Sequence, residues 1–155
     1  MKKVGEQESR EAMEARVSAQ VEAIDVDCSR EVDMVVLHCS ATPEGRDVSA
    51  AEIRRWHVEE RGFEDIGYHF VVRLDGTVER GRDLNRPGAH CKGFNRWSIG
   101  VCYVGGADAE LQSKDTRTEA QKAALTLLVE RLVKRYPRAV VRKHRELAAT
   151  KCPGF

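Results

Sequence analysis

The chain closes on His144-Arg-Glu-Leu-Ala-Ala-Thr-Lys-Cys-Pro-Gly-Phe155, directly after a β-like run, Ala139-Val-Val-Arg-Lys143. This stretch sets a histidine and a cysteine eight positions apart. Imidazole and thiolate are the ligand types zinc favours most among protein side chains. Two ligands under-hold a metal, and a third candidate, His38, ends another apolar run, Met34-Val-Val-Leu37. Two histidines at the ends of strand-like segments, with a cysteine on the following loop, form a candidate three-donor site. Three protein ligands leave one tetrahedral position open for water, which is the catalytic arrangement rather than the structural one. Spacing alone leaves the question open. A histidine after a strand is more often a structural residue, and His-x7-Cys matches no standard structural zinc motif.

Working outward, the remaining punctuation places helices and strands between these ends. Ser49-Ala-Ala-Glu52 and Thr118-Glu-Ala-Gln121 are capping boxes, in which a hydroxyl serves the third amide and the third side chain reaches back. The first opens a helix with Ile53, Trp56 and His57 on one face, ended by Gly62. The second opens a helix with Leu125, Leu128, Val129 and Leu132 on one face, stopped by Pro137. Gly67 to Arg73 and Thr77 to Arg80 flank Asp75-Gly76 as a hairpin, with a type I′ turn expected. Residues 81–95 read as irregular. Trp97-Ser-Ile-Gly-Val-Cys-Tyr-Val104 reads as a further apolar strand, closed by Gly105-Gly106. The order strand–helix–hairpin–strand–helix–strand predicts a single α/β domain with a central mixed β-sheet flanked by helices.

Ahead of this domain, residues 1–27 are charge-rich, with Met13, Val17, Val21 and Ile24 near helical spacing. They read as a polar arm or weakly amphipathic helix, with the catalytic unit expected over 28–155. A length of 155 residues suits one domain with a real core. A net charge of +1 argues against a nucleic-acid binder driven by bulk charge. No apolar run approaches the roughly 20 residues a membrane span needs. The basic start has no apolar stretch behind it, so synthesis in the cytoplasm without a signal peptide is expected. The five cysteines are odd in number and scattered. They read as reduced, with Cys28, Cys39, Cys91 and Cys102 as small buried hydrophobes.

Five ordered motifs are recognisable together: Leu37-His-Cys-Ser-Ala41, Ile53-Arg-Arg-Trp-His57, Gly67-Tyr-His-Phe70, Ser98-Ile-Gly-Val-Cys102 and His144…Cys152-Pro-Gly-Phe155. Over about residues 32–155 the chain resembles the zinc-dependent N-acetylmuramoyl-L-alanine amidases. The likeness is greatest to the short phage amidase-type lysozymes and their prophage relatives, with the peptidoglycan recognition proteins more distant. The resemblance implies one Zn2+ per chain held by His38, His144 and Cys152. It also implies hydrolysis of the amide joining N-acetylmuramic acid to the L-alanine of the stem peptide in peptidoglycan. Tyr68 matches the family's active-site tyrosine, whose phenol would donate to the oxyanion or orient water.

Two departures bear on the chemistry. The phage enzymes carry a catalytic lysine two positions before the cysteine; here that position is Thr150, as in the amidase-active recognition proteins, with Lys151 next to it. A cousin subgroup has glutamate where Cys102 stands, so the role of carboxylate base is vacant. His90 lies in a segment, Gly88-Ala-His-Cys-Lys-Gly93, that resembles the family's groove lining. A substrate contact is expected there, with Lys92, Asn95 and Arg96 as further polar donors. His69, Cys39 and Cys91 are expected to be structural, and Trp97 to be core rather than a sugar platform. Peptidoglycan is the expected partner, met by a monomer that reaches the wall by release or by another export system. The resemblance leaves two rival readings: a non-catalytic wall-binding module, disfavoured by Cys152, and a phage-type regulator of an RNA polymerase.

Overall fold

The computed structural model describes residues 7–155, so the basic start of the chain lies outside it. In chain order the elements are α1 (Arg10–Glu22), β1 (Met34–Cys39), β2 (Thr42–Pro43), α2 (Ala50–Glu59), β3 (Phe70–Val72), β4 (Val78–Arg80), β5 (Ser98–Tyr103), β6 (Gly106–Ala107), α3 (Glu119–Arg135) and β7 (Val140–Lys143). Short 3₁₀ turns at Asn95–Trp97 and His144–Glu146 lead into β5 and out of β7. The main sheet has five strands in the order β4-β3-β5-β1-β7. Only the β3–β4 hairpin is antiparallel, so the sheet is mixed.

Helices cover both faces. On one face Met13, Val17 and Val21 of α1 join Leu125, Leu128 and Leu132 of α3 over Val35, Phe70, Ile99 and Val101. On the other, Ala50 and Ile53 of α2 join Ile66, Val71 and Val104. A parallel strand sandwiched this way must be apolar on both sides, and all six residues of β5 are buried. The N-terminal helix is part of this core, since Val17 and Val21 are essentially inaccessible.

Both capping boxes form as read, at Ser49 with Glu52 and at Thr118 with Gln121. The hairpin forms, but its turn is not type I′. Gly76 alone takes a positive φ, of 87°. Asp75 keeps an ordinary φ while its carboxylate accepts the Thr77 amide, and the Gly76 amide closes on the Arg73 carbonyl. That is a type I turn followed by a left-handed glycine, a three-residue connection. Trp97 is also corrected: it precedes the strand in a 3₁₀ turn and is 44% exposed, with the Arg96 guanidinium over its ring. Cys39, Cys91 and Cys102 are buried as expected, whereas Cys28 is only partly so; all five thiols are free.

Candidate active site

Register decides which side chains share the site. His38 is paired with Cys102, Val36 with Gly100 and Met34 with Ser98 across the parallel β1–β5 ladder. Registered residues of a parallel pair project to the same face, so His38 shares its face with Ser98, Gly100 and Cys102. On the other side β1 pairs with β7, whose last residue, Lys143, lies beside Leu37. The 3₁₀ turn that begins at His144 therefore starts at the sheet end where His38 emerges. The ring centroids of His38 and His144 are 4.5 Å apart.

Cys152 is brought back by its own loop. The Arg145 amide donates to the Cys152 carbonyl, and the Tyr103 hydroxyl donates to the Pro153 carbonyl at 2.7 Å. The Cys39 amide then donates to the Cys152 Sγ at 3.1 Å, across 113 residues of sequence. The result is one cluster: a nitrogen of His38, a nitrogen of His144 and the Cys152 sulfur lie within 4.8 Å of one another. An ion with bonds of about 2.0–2.3 Å closes such a triangle with modest side-chain adjustment. The donor chemistry fits zinc as well, being two imidazoles and a thiol, with no carboxylate among the three.

The electrostatics suit metal ligation. Burial pushes His38 well below its ordinary value, reinforced by His90 and His144, and burial lowers His144 as well. Neutral imidazoles are the form a metal binds. The Cys39 thiol beside it, together with burial, holds the Cys152 thiol up in the metal-free chain. The amide hydrogen bond from Cys39 works in the opposite direction, toward the thiolate a metal requires.

Tyr68 stands against this cluster, its ring centroid 5.1 Å from that of His38 and 5.4 Å from that of His57. It lies just before β3 rather than within it, where the Arg82 amide donates to its carbonyl. Burial raises its phenol well above the ordinary value, with the thiols of Cys102, Cys152 and Cys39 adding to the effect. Tyr68 is therefore a protonated donor. Thr150 Oγ1 accepts the Cys152 amide at 3.2 Å, which steadies the cysteine loop and leaves the hydroxyl proton free to donate. Lys151 is exposed.

The loop expected to line the groove behaves differently. His90 is 8% exposed and faces inward: its Nδ1 is 2.8 Å from His38 Nε2, and its Nε2 is 3.0 Å from Ser98 Oγ. Both ring nitrogens are engaged, so the expected substrate contact is replaced by contact with His38. Asn95 is likewise turned to the loop, its Oδ1 accepting the amides of His90 and Cys91. Lys92 and Arg96 remain exposed on this loop, with Arg96 lying over the Trp97 ring. His69 is structural, accepting the Gly100 amide at Nδ1 and meeting the Arg86 carbonyl with Nε2. Sequence reading missed two arginines that pin the surroundings, Arg82 buried and Arg30 half-buried. Arg82 donates to the carbonyls of Ile66, Pro87 and Asp65, and Arg30 to those of Leu84, Arg96 and Ser98. Neither sits in a pattern that distinguishes it from a surface charge.

A mixed sheet whose strand ends deliver two histidines and a cysteine to one point, beside a protonated phenol, defines a candidate metallohydrolase. Comparison with known proteins narrows the class. A family model described as N-acetylmuramoyl-L-alanine amidase matches residues 29–155. The endolysin of Enterobacteria phage K11 is 45% identical over 126 residues, covering 81% of this chain and 83% of its own. The endolysin of Escherichia phage T7 is 46% identical over 123 residues, covering 79% and 81%. Among solved structures, the Ph2119 endolysin of a Thermus scotoductus bacteriophage superposes with a TM-score of 0.70 at 33% identity, covering 81% of this chain and 79% of that one. The chain belongs to the N-acetylmuramoyl-L-alanine amidase family and is an enzyme of that class.

Proposed function

We propose that the chain is a zinc-dependent endolysin-type amidase acting on the bacterial cell wall. It cleaves the amide between the lactyl group of N-acetylmuramic acid and the L-alanine of the stem peptide. The observation that carries this reading is the convergence of His38, His144 and Cys152 within 4.8 Å. These three residues would hold one Zn2+, which when bound supplies a Lewis acid that acidifies water and polarises the scissile carbonyl.

The rest of the work falls to the protein's own groups. Tyr68, kept protonated, donates a hydrogen bond to the oxygen on which charge develops. Thr150 adds a hydroxyl donor from the cysteine loop without adding positive charge. Cys102 is buried, and its burial raises the thiol well above its ordinary value, so it offers no base. The solvent-exposed Lys92 and Arg96 suit the carboxylates of the stem peptide, and Trp97 offers a face to a sugar ring.

Purified peptidoglycan digested by the protein is expected to release stem peptides bearing a free L-alanine amine, detected by mass spectrometry. Chelation and Cys152→Ala should each abolish release. Well-folded, zinc-loaded protein that releases no such peptide from walls of either stem type would sink the proposal.

A further inference from the structure

Behind the three donors lies a second layer, and it is made of side chains that hydrolysis itself does not call for. His38 is 1% exposed and one of its two ring nitrogens, Nε2, is already occupied by His90 Nδ1 at 2.8 Å. The nitrogen left for a metal beside His144 and Cys152 is therefore Nδ1. A neutral His38 with a free lone pair on Nδ1 must carry its proton on Nε2, where it donates to His90. His90, neutral and accepting at Nδ1, must then carry its own proton on Nε2, which points at Ser98 Oγ, 3.0 Å away. Every proton in the row is assigned once metal ligation fixes the first.

The space for this row is built into two glycines. A Cβ at Gly100 would come within 2.6 Å of the His90 ring, and one at Gly88 would come equally close. Asn95 Oδ1 fixes the backbone at His90 by accepting its amide and that of Cys91. The two histidine rings meet edge to face, with an interplanar angle of 87°. A loop that only needed filling would not require glycine on two separate segments to admit an imidazole edge.

We infer that His90 is a positioning residue of the metal centre, accepting the Nε2 proton of His38 and relaying its own to Ser98, so that His38 presents Nδ1 in one tautomer and one orientation. This rests on the reading that His38, His144 and Cys152 hold zinc. Metal-bound histidines generally donate their second ring proton to an outer partner, and losing that partner typically costs ten- to hundredfold in metal affinity. Here the partner is a second imidazole rather than a carboxylate, so it holds the ligand without adding a negative charge to the site.

The test is zinc affinity, measured with Zn2+ alone against a chromophoric chelator on the full chain. Wild type, His90→Leu, His90→Gln, Ser98→Ala and Cys152→Ala would be compared, with circular dichroism reporting the fold. Leucine fills the pocket without an acceptor, and glutamine restores one. The expected result is a loss of about ten- to hundredfold in His90→Leu, with recovery in His90→Gln and a smaller loss in Ser98→Ala. With Co2+ in place of zinc, the thiolate charge-transfer band should persist in the His90 variants, because Cys152 still ligates. Wild-type affinity in folded His90→Leu, or equal loss in the leucine and glutamine variants, would overturn the inference. If His90→Leu does not fold, Ser98→Ala decides: weakened binding supports the relay, and unchanged binding overturns it. Zinc binding that is absent from wild type, or indifferent to Cys152→Ala, would instead remove the three-donor site and the relay with it.

Discussion

Tyr68 has a phenol that keeps its proton, and its ring lies 5.1 Å from that of a proposed ligand. Its proposed contribution is therefore a hydrogen bond to developing charge, not a proton abstracted from water. Tyr68→Phe is expected to lower kcat by about 10²–10³-fold while zinc affinity stays at the wild-type level. Steady-state hydrolysis alongside a metal titration checks both halves. At this scale much of the site was legible. His38 and His144 each end a strand-like run, and two such ends can share one edge of a sheet. Cys152 was legible because a following loop is free to turn back on them. The inward turn of His90 was not legible, because a histidine among glycines reads as an exposed loop residue. Its burial depends on Gly88 and Gly100, which come from a different loop position and a different strand. Trp97 misled for the opposite reason: it opens an apolar run, but the strand starts one residue later and the 3₁₀ turn swings the indole outward.

Among the elements, α3 shows how a local signal can understate a tertiary one. The Thr118–Gln121 box announces the helix start from sequence alone, and Gln121 does accept the Thr118 amide. The same side chain also donates to the carbonyls of Val72 and Val104, where β3 and β5 run out, and it is fully buried. Gln121→Leu keeps the volume but leaves the Val104 carbonyl and the Thr118 amide without a partner, while the Val72 carbonyl keeps the Val104 amide. Each buried orphan costs about 1–3 kcal/mol, so a loss of roughly 2–4 kcal/mol is expected in urea unfolding, with the m-value unchanged. The apolar faces of α1, α2 and α3 were legible for the ordinary reason that helical spacing repeats. The hairpin turn type was not, because Asp75 takes its local hydrogen bond to Thr77 instead of a left-handed φ.

For the molecule as a whole, acid is a specific threat. His57 and His69 each accept a backbone amide at Nδ1, from Gly67 and Gly100 respectively, and each is lowered to about 4, chiefly by burial. A protonated ring cannot accept those amides. Both groups have a folded value depressed below the unfolded 6.5, so the stability they contribute is complete above about 6.5. It is lost progressively as pH falls from there toward 4, by at most about 3 kcal/mol for each ring. Melting curves of the metal-free protein should be flat from pH 8 to 7 and fall steeply below 6; a melting temperature constant down to pH 4.5 would contradict this assignment. The contact between Cys39 and Cys152 has a consequence of another kind, because it joins residues 113 apart. Chains are made from the N-terminus, and folding units form as they emerge. His38 is made early, and its two proposed partners only after residue 143. Every ribosome still reading upstream of that point carries a growing chain with at most one of the three proposed donors, and a cell translating this message holds wall-cutting capacity only in copies that have passed Cys152.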